Sequence, residues 1–197
     1  MKGFLIGIGV VVALGVILVG YYMGAYNGLV GKQEAVNSSW AQVQTQYQRR
    51  ADLVPQLVAT VKGVANFEKD TLTAVVEARA KVGTMQVTKD TVNDPEAMKK
   101  FEAVQGQLTG ALSRLMVVVE KYPELKATSN FSELQSQLEG TENRIAVARR
   151  DFNATVQEYN VGIRTMPTSI IANMSGFKEK AYFEAATGSE KAPEVKF

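Results

Sequence analysis

The side chains that can do chemistry leave few routes to catalysis in this chain. Its 197 residues include no cysteine and no histidine, which removes thiol nucleophiles, Cys/His metal sites and the usual proton shuttle at neutral pH. A carboxylate pair, a Ser/Lys arrangement and a carboxylate metal site remain, and the sequence has a recognisable motif for none of them. We therefore predict no catalytic residue and no cofactor, and an enzyme of unknown type is the disfavoured alternative.

Glutamates are the residues that a metal site inside a helical bundle would use. Five of them fall on the predicted second and third helices or at their ends: Glu102, Glu120, Glu133, Glu142 and Glu158. Such sites normally combine glutamates with Glu-x-x-His motifs, which a chain without histidine cannot supply. We therefore predict no metal site.

Two arginine pairs are the strongest candidates for binding. Arg50 falls on an apolar helix face with Arg49 beside it, and Arg149-Arg150-Asp151 has a similar character. One interpretation is that these residues grip an anionic lipid head or a partner's carboxylate. The other, which we favour, is internal pairing with an acidic residue of the second or third predicted helix, which fixes helix register.

The charge balance argues against nucleic acid as a partner. The chain has 22 basic and 20 acidic residues and a formal net charge of +2, with no visible nucleic-acid footprint. Its length is sufficient for one domain with a core of its own.

The first 24 residues predict a membrane anchor. Residues 3–20 are all Gly, Ala, Val, Leu, Ile or Phe, and this length matches a hydrocarbon layer of about 30 Å. Tyr21, Tyr22 and Tyr26 follow as an aromatic belt at the interface. The alternative is a cleaved signal peptide, but its apolar region should be shorter, and Met23-Gly24-Ala25 is a poor small-x-small cleavage site.

Two glycine pairs in the anchor have the spacing of a membrane-helix contact. Gly3 and Gly7, and likewise Gly20 and Gly24, are four residues apart, which lets two helices approach closely. The alternative is that glycine is simply common in membrane spans.

The charges on the two sides of the anchor predict its orientation. Lys2 lies on the N-terminal side, whereas on the other side the charge of Lys32 is offset by that of Glu34. This difference predicts a cytoplasmic N-terminus and a bundle outside the cytoplasm.

The elements that position these residues are helices, and the longest is predicted over residues 22–82. Apolar residues recur there at alternating steps of three and four, the pattern of a helix face covered by a partner helix. Such a helix would be on the order of 90 Å long. Pro55 lies inside it, and because residues 50–54 contain no glycine or asparagine, a kink is favoured over a turn.

The remaining helices are marked by their ends. Asp94-Pro95-Glu96 predicts the start of a second helix, which ends before Tyr122-Pro123. A third helix begins with Asn130 as N-cap and stops near Gly162. A shorter, weakly amphipathic segment opens at Met166-Pro167 and runs to about residue 186, followed by a polar tail at 187–197. No strand pattern is present, so the predicted fold is all-α.

Several stretches resemble the LemA family of bacterial membrane-anchored helical proteins. They cover most of the chain in the family's order: YNGLV at 26–30, RRADLVPQLV at 49–58, EKYPELKA at 120–127, TENRIA at 141–146, ARRDFN at 148–153, YN at 159–160 and YFE at 182–184. Within them we assign a structural role to Arg49, Arg50, Asp52, Pro55, Tyr122, Pro123, Glu142, Arg149, Arg150 and Asn153.

The resemblance implies a four-helix bundle behind an N-terminal membrane segment and brings no catalytic residues. One branch of the family is associated with magnetosome membranes, which points toward membrane organisation. Some members resemble lipoproteins at their start, whereas this chain has no cysteine to lipidate.

The predicted helix lengths leave part of the first helix without a partner inside the chain. The second helix ends near Val54, the third climbs away again, and the last segment is too short to return. The uncovered stripe consists of Tyr26, Leu29, Val36, Trp40, Val43 and Tyr47. Because an exposed apolar stripe marks an interaction site, we predict a parallel homo-oligomer held by this stripe and by the anchor.

The sequence thus predicts an anchor at 1–24, an antiparallel helical bundle with one very long first helix at 25–186, and a flexible tail at 187–197. The predicted function is a scaffold in the bacterial inner membrane, with the lipid bilayer and further copies of the chain as partners. The alternative function is an accessory or adaptor protein that presents its bundle to a membrane enzyme such as a protease.

Overall fold

The computed structural model describes residues 2–63, 67–85 and 88–184. In this part of the chain six α-helices and one 3₁₀ helix form, and no strand does. They are α1 (Lys2–Lys62), α2 (Lys69–Thr84), the 3₁₀ helix (Lys89–Asn93), α3 (Pro95–Val119), α4 (Pro123–Lys126), α5 (Ser129–Arg164) and α6 (Thr168–Met174). The predicted all-α class, with a long first helix leading a helical bundle, is confirmed. The predicted tail at 187–197 lies outside the described residues.

One helix contains both the predicted anchor and the first element of the bundle. α1 is helical at every residue from Lys2 to Lys62 and passes through Pro55 without interruption, so the alternative of a turn at Pro55 is wrong. Pro55 lies on the exposed side of the helix, where its ring does not disturb the core.

The prediction that this helix continues to Val82 is wrong. α1 ends at Lys62, Gly63 lies in a turn, and α2 starts at Lys69. Glycine leaves helical geometry more easily than other residues. The spacing did not reveal the reversal, because Val75 and Val82 of α2 continue the same seven-residue count as Val61 of α1.

Two helix starts follow from local capping. Asp94 accepts a hydrogen bond from the backbone N–H of Glu96 at 2.9 Å, and Pro95 opens α3, as predicted. The predicted cap of the third helix is wrong by two residues. The hydroxyl of Thr128 accepts from the backbone N–H of Phe131 at 3.4 Å, and Asn130 lies in the first turn of α5.

The half of the bundle farther from the anchor contains four helices, α1, α2, α3 and α5. Its core is made of apolar side chains from all four helices and from α4. They are Leu53, Val54, Leu57, Val58, Val61, Leu72, Val75, Ala78, Leu108, Leu112, Leu115, Val119, Leu125, Phe131, Leu134 and Leu138. We call this set the distal core.

The half nearer the anchor is built on α1 and α5, with the 3₁₀ helix and the start of α3 beside them, and is completed by the end of the chain. α6 and the extended residues 177–184 turn back along these helices. We call residues 177–184 the C-terminal strap. The proximal core consists of Leu29, Val36, Trp40, Val43, Tyr47, Val92, Met98, Phe101, Ile145, Phe152, Val156, Tyr159, Ile163, Ala172 and Phe183. The prediction of a helical segment running to residue 186 is therefore wrong over residues 175–184, and its last two residues lie outside the described part of the chain.

The stripe that was expected to contact neighbouring copies is covered within the chain. Leu29, Val36, Trp40, Val43 and Tyr47 are each at most 5% exposed. α5 covers them together with the start of α3 and the strap, and the rings of Phe152 and Phe101 lie 5.4 Å and 5.2 Å from that of Trp40. Tyr26 remains 39% exposed and meets Phe177 edge-on at 5.7 Å. The expectation failed because the missed reversal at Gly63 inverted the direction assigned to every later helix: the third long helix descends toward the anchor.

Candidate functional site

Arg50 lies on α1 at the junction of the two cores and is 1% exposed. One terminal nitrogen of its guanidinium group donates to Thr109 Oγ1 at 2.8 Å and to Glu142 Oε1 at 2.9 Å. The other donates to Gln105, to Oε1 at 2.5 Å and to the backbone oxygen at 3.3 Å. Arg50 therefore ties α1 to α3 and to α5 at one level, which is the internal pair that we favoured from the sequence.

The buried charge of Arg50 is held by groups that replace water. A buried cation is costly unless it is paired and hydrogen-bonded, and the planar guanidinium fork supplies several donors at once. The ring of Tyr47 lies 5.0 Å from the guanidinium carbon, a cation–π distance. Burial also raises the pKa of the Tyr47 phenol. Glu142 is 41% exposed, so water reaches the carboxylate that balances Arg50.

Arg149 of α5 forms a second ion pair on the same side of the bundle. It donates to Glu102 Oε1 of α3 at 2.7 Å and to the backbone oxygen of Glu184 in the strap at 3.1 Å. Its guanidinium carbon lies 4.5 Å from the ring centre of Phe183. Burial raises the pKa of Glu102, while the charge of Arg149 acts in the opposite direction. This pair joins α3, α5 and the strap.

Between the two arginines lies a cleft of about 650 Å³. Arg50, Arg149 and Lys99 line it together with Glu102, Glu142 and Glu184. Because both arginines already pair with carboxylates of the same chain, the arrangement is better suited to fixing three helices in register than to binding an anion.

Two asparagines of α5, seven residues apart, hold the backbone of the strap. Asn153 donates to the carbonyl and accepts from the N–H of Phe183, both at 2.9 Å. Asn160 binds Lys180 in the same two-way manner, also at 2.9 Å. An extended segment that lacks a neighbouring strand needs such partners for its backbone groups. Asn160 was missed as a site residue, although an amide one heptad after Asn153 on an apolar face was the available signal.

The other motif residues lie outside this cluster. Arg49 and Asp52 are exposed on α1, and Asp52 accepts a hydrogen bond from Gln48 at 2.8 Å. Arg150 faces solvent and lies 3.2 Å from its neighbour Asp151.

Tyr122 and Pro123 form the turn into α4. The ring of Tyr122 packs 4.9 Å from that of Phe67. These two residues therefore act at the far end of the bundle, away from the cleft.

Of the five glutamates considered for a metal site, Glu102 and Glu142 line the same cleft. Glu102 and Glu142 pair with arginines, and Glu120 pairs with Lys126 at 2.6 Å. Within residues 2–63, 67–85 and 88–184, no group of three acidic side chains is placed to hold a metal ion.

The anchor presents its side chains away from the bundle. Among the helices in the described part of the chain, α1 is the one that is long and apolar enough to cross a membrane. A Cβ atom added at Gly3, Gly7, Gly20 or Gly24 would meet nothing within 4 Å. Tyr21 and Tyr22 are exposed at the end of the apolar stretch. Tyr22 lies 3.3 Å from the hydroxyl of Ser175, whereas the fold of a single chain packs nothing against the four glycines.

A model of the LemA family matches residues 39–197, a region that includes both ion pairs and both strap-binding asparagines. The chain belongs to the LemA family. Protein LemA of Metamycoplasma hominis is 24% identical over 165 residues, which is 84% of this chain and 71% of that protein. The family and the long apolar helix together indicate a membrane-associated helical protein.

Two magnetosome proteins resemble this LemA-family chain over a shorter region. Magnetosome protein MamQ 2 of Paramagnetospirillum magneticum is 36% identical over 86 residues, 44% of this chain and 32% of that protein. Magnetosome protein MamQ of Magnetospirillum gryphiswaldense is 36% identical over 92 residues, 47% of this chain and 34% of that protein. The match thus spans about a third of the length of these relatives. Their names state no enzymatic activity.

Removal of Glu142 tests whether the buried arginine holds this LemA-family bundle together. In Glu142→Ala the guanidinium group of Arg50 stays buried without its counterion, and we expect a loss of about 3 kcal/mol in the free energy of unfolding. The exposed pair supplies the control, since Asp151→Ala should cost less than about 1 kcal/mol. Urea unfolding of the full chain in mild detergent, followed by circular dichroism, measures both values.

A double variant separates charge burial from lost packing. Arg50→Met combined with Glu142→Ala removes the uncompensated charge, so it should be more stable than Glu142→Ala alone. If Glu142→Ala costs no more than Asp151→Ala, the ion pair has no structural role.

Glu102 gives a pH-dependent test of the second ion pair. Its pKa in the folded state is raised above the ordinary value of 4.5, chiefly by burial, so the folded state holds this proton more tightly than the unfolded state. The stability that it contributes is fully present below about pH 4.5 and is lost as the pH rises through the folded pKa. Wild type should therefore lose stability relative to Glu102→Gln as the pH rises over this window, measured by denaturant unfolding at a series of pH values.

The exposed Glu96 near the start of α3 provides the matched control for the pH series, because Glu96→Gln removes one carboxylate from the same helix. For each variant, the difference in the free energy of unfolding from wild type is followed with pH. If this difference changes no more for Glu102→Gln than for Glu96→Gln, the proposed role of burial is contradicted.

Proposed function

We propose that this protein is a membrane-anchored scaffold, not an enzyme, which self-assembles through its anchor and organises membrane proteins. The observation that carries the proposal is the continuity of α1, in which the apolar anchor and the first bundle helix are one element, Lys2–Lys62. A flexible linker would let a bundle turn freely above the bilayer. A continuous helix instead sets the distance and orientation of the bundle relative to the membrane, which suits a protein that holds partners in place.

The charged cluster supports a structural role for the bundle. Arg50 joins three helices, and Arg149 joins two helices and the strap, each through an internal carboxylate. These contacts make the bundle one stiff body instead of leaving charged groups available for reaction.

The proposed assembly surface is now restricted to the anchor and to the face of α1 that points away from α5, because the apolar stripe is covered inside the chain. Gly20, Gly24, Gly28 and Gly31 follow at steps of four, four and three, which places them on one helix face. All four are exposed, and an added Cβ would meet no atom within 4 Å. Helices approach closely in membranes where small residues are aligned in this way.

A leucine at the glycine face tests assembly through the anchor. We expect light scattering to show a multimeric wild type in detergent, and Gly20→Leu to give a smaller particle with unchanged helix content. Gly15→Leu is the matched control, because Gly15 is equally unpacked within the chain but points about 140° away at 100° per residue. A wild type that is monomeric at micromolar concentration, or equal effects of the two leucines, would contradict the proposal.

The alternative function, an adaptor for a membrane enzyme such as a protease, is favoured by one feature of the distal half. A shallow apolar groove of about 340 Å³ lies between α1 and α2 beside Pro55, and Val54, Val58 and Val76 line it. Co-purification from the native membrane distinguishes the two functions. A monomeric chain bound to a second protein supports the adaptor, and a homo-oligomer without one supports the scaffold.

We place the protein in the bacterial inner membrane as a single-pass protein with its bundle outside the cytoplasm. The support is the charge difference across the apolar stretch, since Lys2 flanks one side and Lys32 is offset by Glu34 on the other. A reporter fused after Phe197 should be active only as an extracytoplasmic reporter. Activity only as a cytoplasmic reporter would reverse the orientation.

A further inference from the structure

Three large apolar side chains stand exposed around α6. Met166 is 68% exposed, Ile170 51% and Met174 76%. They are four residues apart, and for Ile170 and Met174 of α6 this spacing means one helix face. The opposite side is buried, with Ile171 and Ala172 at 6% and 1% exposure. Apolar side chains therefore lie on both the buried and the exposed side of α6, and the polar residue Asn173 is exposed beside Met174.

α6 lies at the level where the anchor ends. The hydroxyls of Ser175, directly after α6, and of Tyr22 are 3.3 Å apart, and Tyr22 comes two residues after the apolar stretch 3–20. The rings of Tyr22 and Tyr26 are stacked at 6.2 Å, and Phe177 meets Tyr26 edge-on. Tyrosines at this position are typical of the boundary between hydrocarbon and headgroups.

We propose that α6 docks on the bilayer surface and inserts Met166, Ile170 and Met174 among the lipids beside the anchor. The lipid surface is the expected partner because α6 lies level with Tyr22 at the end of the anchor. When the anchor crosses the membrane, this level coincides with the headgroup region. Exposed apolar side chains are unfavourable in water, whereas a helix that lies in the membrane interface buries such side chains among the lipids.

The charges around α6 determine what kind of lipid surface it fits. Arg164 and Glu179 lie 3.9 Å apart and are both largely exposed, and Lys178 is exposed beside them. Because both signs are present, docking depends on apolar insertion and not on attraction to anionic lipids. It should therefore occur on a zwitterionic membrane.

Docking of α6 would give the bundle a second attachment to the membrane. The anchor alone fixes the height of the bundle, while a second contact to one side of α1 also fixes its tilt. Movement of α5 would then be coupled to the membrane surface, because only three residues separate α5 from α6.

The absence of cysteine from the natural chain allows a direct test. The full-length protein is placed in phosphatidylcholine nanodiscs with one cysteine at a time, as Met166→Cys, Ile170→Cys or Met174→Cys, each labelled with the NBD fluorophore. Val117→Cys is the control, because Val117 is also 68% exposed and apolar but lies near the far end of α3. Circular dichroism confirms the helix content of each variant, and three independent positions guard against one that fails to fold.

The readout is quenching by nitroxide attached to lipid compared with quenching by iodide in water. We expect the three α6 labels to be quenched several-fold more by the lipid nitroxide than the Val117 label, and less by iodide. Equal behaviour of the α6 and Val117 labels would overturn the proposal. The proposal would also be overturned if neither quencher reached the α6 labels and the labels quenched one another until unlabelled protein was added. In that case a second copy of the chain, and not lipid, would cover α6.

Discussion

The antiparallel packing of α5 against α1 is the interaction on which the rest of the fold depends. Trp40 meets Phe152 at a ring distance of 5.4 Å. Ten residues farther along α1, Arg50 meets Glu142, ten residues earlier on α5. The two helices thus keep one register over their shared length, about 50 Å for the 36 residues of α5 at about 1.5 Å per residue. Because α1 continues into the anchor, α5 fixes the bundle to the membrane-spanning element.

Two helices alone cannot enclose a core, and the chain completes each half of this pair differently. In the distal half α2 and α3 supply the missing faces. In the proximal half the strap closes the core together with the start of α3, and Phe183 packs against Trp40, Phe101 and Phe152. A strap has fewer apolar side chains than a helix and carries unpaired backbone groups. Asn153 and Asn160 satisfy those groups, so an amide pair on α5 makes an irregular segment usable as a third layer.

Local signals in the sequence predicted local structure well. The cap and proline at Asp94-Pro95 place the start of α3, the absence of strand patterns gives the all-α class, and Pro55 is tolerated within α1. The long-range arrangement was less accessible, because Gly63 interrupts a pattern that resumes in α2 with the same period. That single reversal changed the direction of every later helix and made the Trp40 stripe appear uncovered. The strap was missed for another reason, since an extended segment held by side-chain amides has neither helical nor strand periodicity.

Apolar periodicity indicates that a helix face is covered, but it does not identify the element that covers it. Every apolar partner satisfies such a face about equally, so the stripe on α1 is as compatible with a neighbouring copy as with α5. The polar residues on these faces decide the matter, because a buried charge or amide accepts only a partner of matching geometry. Arg50 selects the level at which Gln105, Thr109 and Glu142 converge, and the two asparagines select the strap. Replacing such groups with apolar residues often costs little stability in other proteins. Their value in this bundle is that they exclude shifted registers which the heptad pattern alone would permit.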